Sequence, residues 1–272
     1  MKHTDIMRKY WIVPNKSLGQ NFLVNDGILE KISNSIQVSG KNILEVWPWY
    51  WALTHKILEK WPKSLTLVEL DKNMVSIIED RINNDFSLLL KEVDFKVFNT
   101  DVLKYIPTLK EYSLIANIPY YITSPILFHF MFSLDKRPDE MVILMQKDVW
   151  DKILKKNWNK SSVLSLYCEM ASESITEITR VWAGNFIPAP KVESSVLHFK
   201  LKWSRDINLE LKILEIIKLG YSERRKKLSS NLSKKYSKES ILALLWVIWI
   251  NQDIRAESLS IDDWIKITNS IC

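Results

Sequence analysis

Glycine is scarce in this chain: 5 residues in 272, where about 7% is usual. So poor a supply leaves few places where the backbone turns left-handed without strain. Cysteine is nearly absent as well. Cys168 and Cys272 are the whole complement, which excludes a disulfide framework and suits a reducing compartment. The longest apolar run, Ile241 to Ile250, has ten residues, half of the about 20 that a membrane helix needs. Met1 to Asp5 carries no apolar stretch of the secretory kind. The expectation is therefore a cytoplasmic protein with no membrane partner. The histidines His3, His55, His129 and His198 are far apart and lack metal-ligand spacing, so no metal is expected. A Gly-x-Ser-x-Gly elbow and a phosphate-loop Gly-Lys-Ser/Thr signature are both missing.

What is there is an ordinary apolar fraction, 47%, beside 26% charged residues and a net charge of +6. That composition excludes a mainly disordered chain and favours a polyanionic partner. Much of the basic excess is local. Arg224, Arg225, Lys226, Lys227, Lys234, Lys235 and Lys238 face one acid, Glu223, between Ser222 and Lys238. Tryptophan, at 12 residues, is unusually abundant.

Short apolar runs alternate with helical patterns up to about residue 150. Strands are predicted at Ile43–Val46, Leu65–Leu70, Phe95–Phe98, Leu114–Asn117 and Met141–Met145, with helices at 52–60, 74–81 and 125–132 between them. Nearly all-apolar strands of this length are what a parallel sheet buried on both faces requires. The rhythm predicts a doubly wound α/β sheet. Helices over 147–154 and 163–172, then strands over 175–181 and 194–201, complete a domain spanning 1–203. Residues 204–272 read as helical, including a basic helix over 222–232.

Ligands of open α/β sheets bind outside the carboxyl ends of the strands. There the sequence sets Glu45 and the loop Trp47-Pro48-Trp49-Tyr50-Trp51, then Glu69 and Asp71, then Asp101, then Asn117-Ile118-Pro119-Tyr120. A carboxylate such as Glu69 accepts two hydrogen bonds at once and suits a ribose diol. Asp101 suits an exocyclic amine. Each acid equally suits the capping of the next helix. Pro119 forces an extended turn, leaving Asn117 and nearby carbonyls as acceptors for an amino group. Tyr120 offers a face for a base; on spacing alone, a structural asparagine in a turn with a core tyrosine fits the same residues better. The Arg224–Lys227 stretch suits phosphates or a solvated face equally.

These residues resemble the ribosomal RNA small-subunit adenine dimethyltransferase family. Lys16-Ser17-Leu18-Gly19-Gln20-Asn21-Phe22-Leu23, Ile43-Leu44-Glu45-Val46 with Ala52-Leu53-Thr54, Val68-Glu69-Leu70-Asp71, Asn117-Ile118-Pro119-Tyr120, Phe186 to Ser194 and Glu223-Arg224-Arg225-Lys226 are similar to its motifs, in order. The resemblance implies a Rossmann-like class I methyltransferase domain with a small α-helical RNA-binding domain behind it. It implies S-adenosylmethionine as cofactor, lined by Asn21, Leu23 and the loop at Trp47, with Glu69 on the ribose and Asp101 on the adenine amine. It implies that Asn117 holds the target N6 while Tyr120 and Phe186 sandwich the target adenine. The activity implied is dimethylation of two adjacent adenosines near the 3′ end of small-subunit RNA, with a role in ribosome assembly. The partner implied is that RNA or a 30S-type intermediate, and Arg224, Arg225, Lys226 and Lys227 would hold it. With no heptad pattern in the sequence, a monomer is expected.

One departure stands out. The family pattern has glycine where this chain has Trp47, Trp49 and Trp51, and also at Trp61, Trp158 and Trp249. Glycine lets a backbone take positive φ and approach a ligand closely. An altered form of an active enzyme, a catalytically silent RNA-binding assembly factor, and a rearranged loop whose indoles stack on the cofactor are the three readings.

Overall fold

A computed structural model describes residues 3–84, 92–155 and 160–271; Trp158 and Cys272 lie outside them. The strands are β1 (Phe22–Leu23), β2 (Asn42–Val46), β3 (Ser64–Glu69), β4 (Asp94–Asn99), β5 (Ser113–Asn117), β6 (Glu140–Gln146), β7 (Ser172–Val181), β8 (Phe186–Ile187) and β9 (Ser194–Leu201). The helices are α1 (His3–Lys9), α2 (Asp26–Ser33), α3 (Ala52–Leu58), α4 (Lys72–Asn84), α5 (Thr123–Phe128), α6 (Lys147–Ile153), α7 (Val163–Ala171), α8 (Ile207–Gly220), α9 (Leu228–Leu232), α10 (Lys238–Val247) and α11 (Ile261–Ile271).

Seven strands form one sheet in the order β4-β3-β2-β5-β6-β9-β7. The pairs from β4 to β6 are parallel. β9 runs antiparallel to β6, Met145 opposite Ser195. Every residue of β3 and of β5 is buried. This is why the predicted runs carry no polar alternation, since helices cover both faces of a parallel sheet. The parallel order reverses between β2 and β5, which opens a crevice at their carboxyl ends. β1 and β8 form a separate two-residue ribbon, pairing Phe22 with Ile187 and Leu23 with Phe186.

The chain divides into two compact units: Met1–Lys147 with Ser174–Leu201, and Asp148–Glu173 with Lys202–Cys272. The sequence reading places 148–173 with the first domain. In the structure α7 of that segment packs against α8 and α11, so its apolar face belongs to the helical unit.

The basic helix expected over 222–232 is reduced to α9, residues Leu228–Leu232. Asn231 interrupts the rest. Its Nδ2 donates to the carbonyls of Gly220 and Glu223, which a continuous helix would have used itself.

Candidate active site at the strand ends

β2 runs straight into Trp47-Pro48-Trp49-Tyr50-Trp51, and every second residue of this loop is left-handed. The φ angles of Trp47, Trp49 and Trp51 are 56°, 55° and 91°. That region costs a bulky residue roughly 1–2 kcal/mol. The loop is fastened on three sides. Trp47 N–H donates to Val68 O at 3.1 Å, Arg81 Nη1 to Tyr50 O at 3.0 Å, and Tyr50 Oη to Leu23 O at 3.3 Å. Trp51 opens α3 as its N-cap without a side-chain cap bond.

The indoles turn inward. Trp47 and Trp49 are each 4% exposed. Trp49 Nε1 donates to the backbone oxygen of Asn117 at 2.8 Å, and its ring meets Phe22 edge-on at 5.5 Å. Asn117 is the last residue of β5 and is buried. Pro119 follows in extended conformation, with φ −58° and ψ 139°, and Tyr120 begins a tight helical turn. Gly19 passes close to this turn at φ 63°. A Cβ there would come within 3.3 Å of the Pro119 ring and 3.4 Å of Tyr121.

Tyr120 is partly buried against the core that contains Leu23 and Phe186. Its hydroxyl shares a 2.7 Å hydrogen bond with Ser194 Oγ. Leu23 and Phe186 face each other across the β1–β8 ribbon. Asn21, just before it, donates from Nδ2 to Gly19 O at 3.1 Å.

Glu69 closes β3 and is buried, its Oε1 accepting from Asp71 N–H at 2.8 Å. The N–H groups of Trp49 and Leu70 also face its carboxyl. Its Oε2 is buried without a hydrogen-bond partner. Burial pushes this carboxyl up to about 8. Glu45, fully buried at the end of β2, is likewise pushed up to about 8 by burial. Asp101 stands apart: its Oδ1 accepts from Leu103 N–H at 3.0 Å and caps a short helical turn. The capping alternative weighed from the sequence is thus realised there.

Two residues emerge that sequence reasoning did not single out. Gln20 is 3% exposed, donates to Asp71 Oδ2 at 2.8 Å and accepts from Asn15 N–H at 2.8 Å. It ties the N-terminal segment to the end of β3. Ser194 orients the Tyr120 hydroxyl. No spacing in the chain signals either pair, 51 and 74 residues apart.

In the second unit Arg224, Arg225, Lys226 and Lys227 are all exposed. Lys226 pairs with Glu223 at 2.8 Å and Lys227 with Asp253 at 2.6 Å. Lys226 and Lys234, both on Glu223, hold its carboxyl down at about 2.

An orphaned Glu69 oxygen and an Asn117 carbonyl at one crevice fit a ligand bearing hydroxyl and amino groups. The tryptophans do not fit S-adenosylmethionine. Trp49 has taken the Asn117 carbonyl for its own N–H, and both indoles are buried in the loop that follows β2.

The sheet order, the antiparallel β9 inserted beside β6, and polar groups at the carboxyl ends define a class I methyltransferase fold. A dimethyladenosine transferase from Plasmodium falciparum superposes with a TM-score of 0.74 at 22% identity, covering 90% of this chain and 95% of that one. The 23S rRNA methyltransferase ErmE gives 0.70 at 17% identity, covering 92% and 99%. The chain belongs to the ribosomal RNA adenine dimethylase family, whose model matches residues 13–272. A ribosomal RNA small subunit methyltransferase A from Prochlorococcus marinus (strain AS9601) is 36% identical, covering 94% of each chain. One from Mycoplasmopsis pulmonis (strain UAB CTIP) is 33% identical, covering 93% of this chain and 96% of its own. No helix among the described residues is long and apolar enough to cross a membrane.

Proposed function

We propose that this protein dimethylates N6 of two adjacent adenosines near the 3′ end of small-subunit ribosomal RNA and thereby takes part in ribosome assembly. The observation that carries this reading is the turn Asn117-Ile118-Pro119-Tyr120 at the carboxyl end of β5. Pro119 contributes no N–H, so the Asn117 side-chain oxygen and the neighbouring carbonyls present acceptors. Acceptors alone suit an exocyclic amine: they hold its hydrogens and leave its lone pair free. Tyr120 is fixed through Ser194 and presents its ring to the base, with Phe186 as the second face.

S-adenosylmethionine is the methyl donor of this family's chemistry, and the strand-end groups Glu69, Asp101, Asn21 and Leu23 are the residues we assign to it. Arg224, Arg225, Lys226 and Lys227 grip RNA phosphates, with the second unit as the RNA-binding part. The protein works as a monomer in the cytoplasm, on free small-subunit RNA or a 30S-type intermediate, and without a metal.

The test uses protein isolated from its own cells, unmethylated small-subunit particles and S-adenosylmethionine. Nuclease digestion and mass spectrometry of the RNA should reveal dimethyladenosine at two neighbouring positions. RNA binding without any methylated adenosine would leave a non-enzymatic assembly factor and end the enzymatic reading.

A further inference from the structure

We propose that glycine, not tryptophan, occupies positions 11, 47, 49, 51, 61 and 249 in the protein its own cells make, because one codon read as tryptophan is decoded there as glycine. Nine described residues have φ in the left-handed region. Six are Trp11, Trp47, Trp49, Trp51, Trp61 and Trp249, two are Gly19 and Gly40, and one is Lys155. Left-handed backbone is glycine's domain, and asparagine or aspartate come next. Tryptophan has no reason to collect there.

The six positions belong to two settings, and both ask for glycine. Trp47, Trp49 and Trp51 alternate along the loop after the first parallel strand. The others end helices. After α1, Ile12 N–H reaches back to Met7 O and Trp11 N–H to Arg8 O. After α10, Ile250 N–H reaches Leu245 O and Trp249 N–H reaches Trp246 O. These are paired Schellman bonds, whose left-handed residue is usually glycine. Trp61 follows α3, donates to Leu58 O and precedes Pro62, another sign of a glycine-type helix end.

At Trp11 and Trp249 packing does not impose the angle: they are 89% and 95% exposed, so no contact repays the strain there. Trp150, Trp246 and Trp264 lie within regular helices, where tryptophan is at ease. Substitutions at scattered sites would introduce several residue types. A single type at one kind of backbone position points to decoding. The codon UGA fits, since one base separates it from the glycine codon GGA and its meaning differs among genetic codes.

The consequence for the crevice rests on the methyltransferase reading. A hydrogen in place of the indole at 49 frees Asn117 O, and hydrogens at 47 and 49 empty the space of two buried indoles. Glycine at these two positions is then what admits S-adenosylmethionine.

Tryptic cleavage after Lys41 and Lys56 releases a peptide carrying Trp47, Trp49 and Trp51. From protein isolated from its own cells, that peptide should be lighter by three indolylmethyl groups, with fragment ions placing glycine at all three positions. Intact tryptophan there overturns the proposal. In parallel, the combined Trp47→Gly, Trp49→Gly, Trp51→Gly chain should bind S-adenosylmethionine at least about a hundredfold more tightly than the tryptophan chain. Equal binding by both would overturn the role given to the crevice. A glycine peptide from protein that fails to methylate RNA would sink the functional reading and leave the decoding intact.

Discussion

Trp49 and Asn117 are joined by a 2.8 Å hydrogen bond from the indole N–H to the backbone oxygen, across 68 residues of chain. The carbonyl that best suits an incoming amine thus already accepts a hydrogen bond from the indole. In the tryptophan chain, Trp49→Phe keeps an aromatic ring and deletes the donor. It should lower unfolding free energy by about 1 kcal/mol, measured by urea titration. No change would mean the bond contributes nothing to the loop.

The exposed left-handed tryptophans make an opposite prediction. Trp249→Gly and Trp11→Gly should each raise stability by roughly 1 kcal/mol, since strain is relieved and little contact is lost. Trp264, fully buried in α11, is the control: Trp264→Ala should cost about 3–5 kcal/mol. Thermal unfolding of the three variants reads the contrast, and a destabilised Trp249→Gly would contradict the strain argument.

Asn117→Ala, made in protein competent for methylation, should abolish methyl transfer and leave RNA affinity within about twofold. Filter binding and methyl incorporation, run on one preparation, separate the two effects. Retained turnover would remove Asn117 from the assigned role.

Among the four basic residues of the 224–227 turn, Lys226 and Lys227 already pair with acids. Arg224→Ala and Arg225→Ala should therefore weaken RNA binding more than Lys226→Ala or Lys227→Ala. Each arginine change should also reduce the slope of log affinity against log salt by about 0.7–0.9. Equal losses at all four positions would mean the ion pairs open on binding.

Glu45 gives a pH signature. Its carboxyl is pushed up to about 8 from an ordinary 4.5, because full burial disfavours its charge and the Thr54 side chain offsets only part of that. The folded chain keeps this proton where the unfolded chain releases it. Its contribution is therefore fullest below pH 4.5, falls as pH rises towards about 8, and is flat above. The slope is at most about 1.4 kcal/mol per pH unit. Glu69, also pushed up to about 8, adds a like fall, so Glu45→Gln should roughly halve it, measured as unfolding free energy against pH.

Much of this was legible in the sequence. The five parallel strands were: in β2, β3, β5 and β6 burial leaves an apolar signature, as in Leu114 to Ala116, while β4 at the sheet edge has no buried residue and shows through its aromatic and Val residues. Glu69 and Asn117 followed from them, since a strand end fixes where its last polar residue points. Asp101 shows the limit: capping and ligand binding ask for the same side chain at the same place. The ribbon of Phe22–Leu23 with Phe186–Ile187 left no trace, because two-residue strands have no period to read. The basic helix was overestimated, since nothing local announces that Asn231 will take the carbonyls of Gly220 and Glu223. The placement of 148–173 with the helical unit depends on packing partners far along the chain.

That ribbon has a consequence for order of assembly. It closes a loop of more than 160 residues with two residue pairs, helped by Val24 N–H to Asn185 O and by the Asn25–Asn185 side-chain bond. Closure of so long a loop carries a large entropic cost for so few bonds. The ribbon should form after the sheet and open before it, so its amides should exchange with deuterium well ahead of those in β3 and β5. Leu23 and Phe186, the two side chains it brings face to face, would then meet only in the last step of folding.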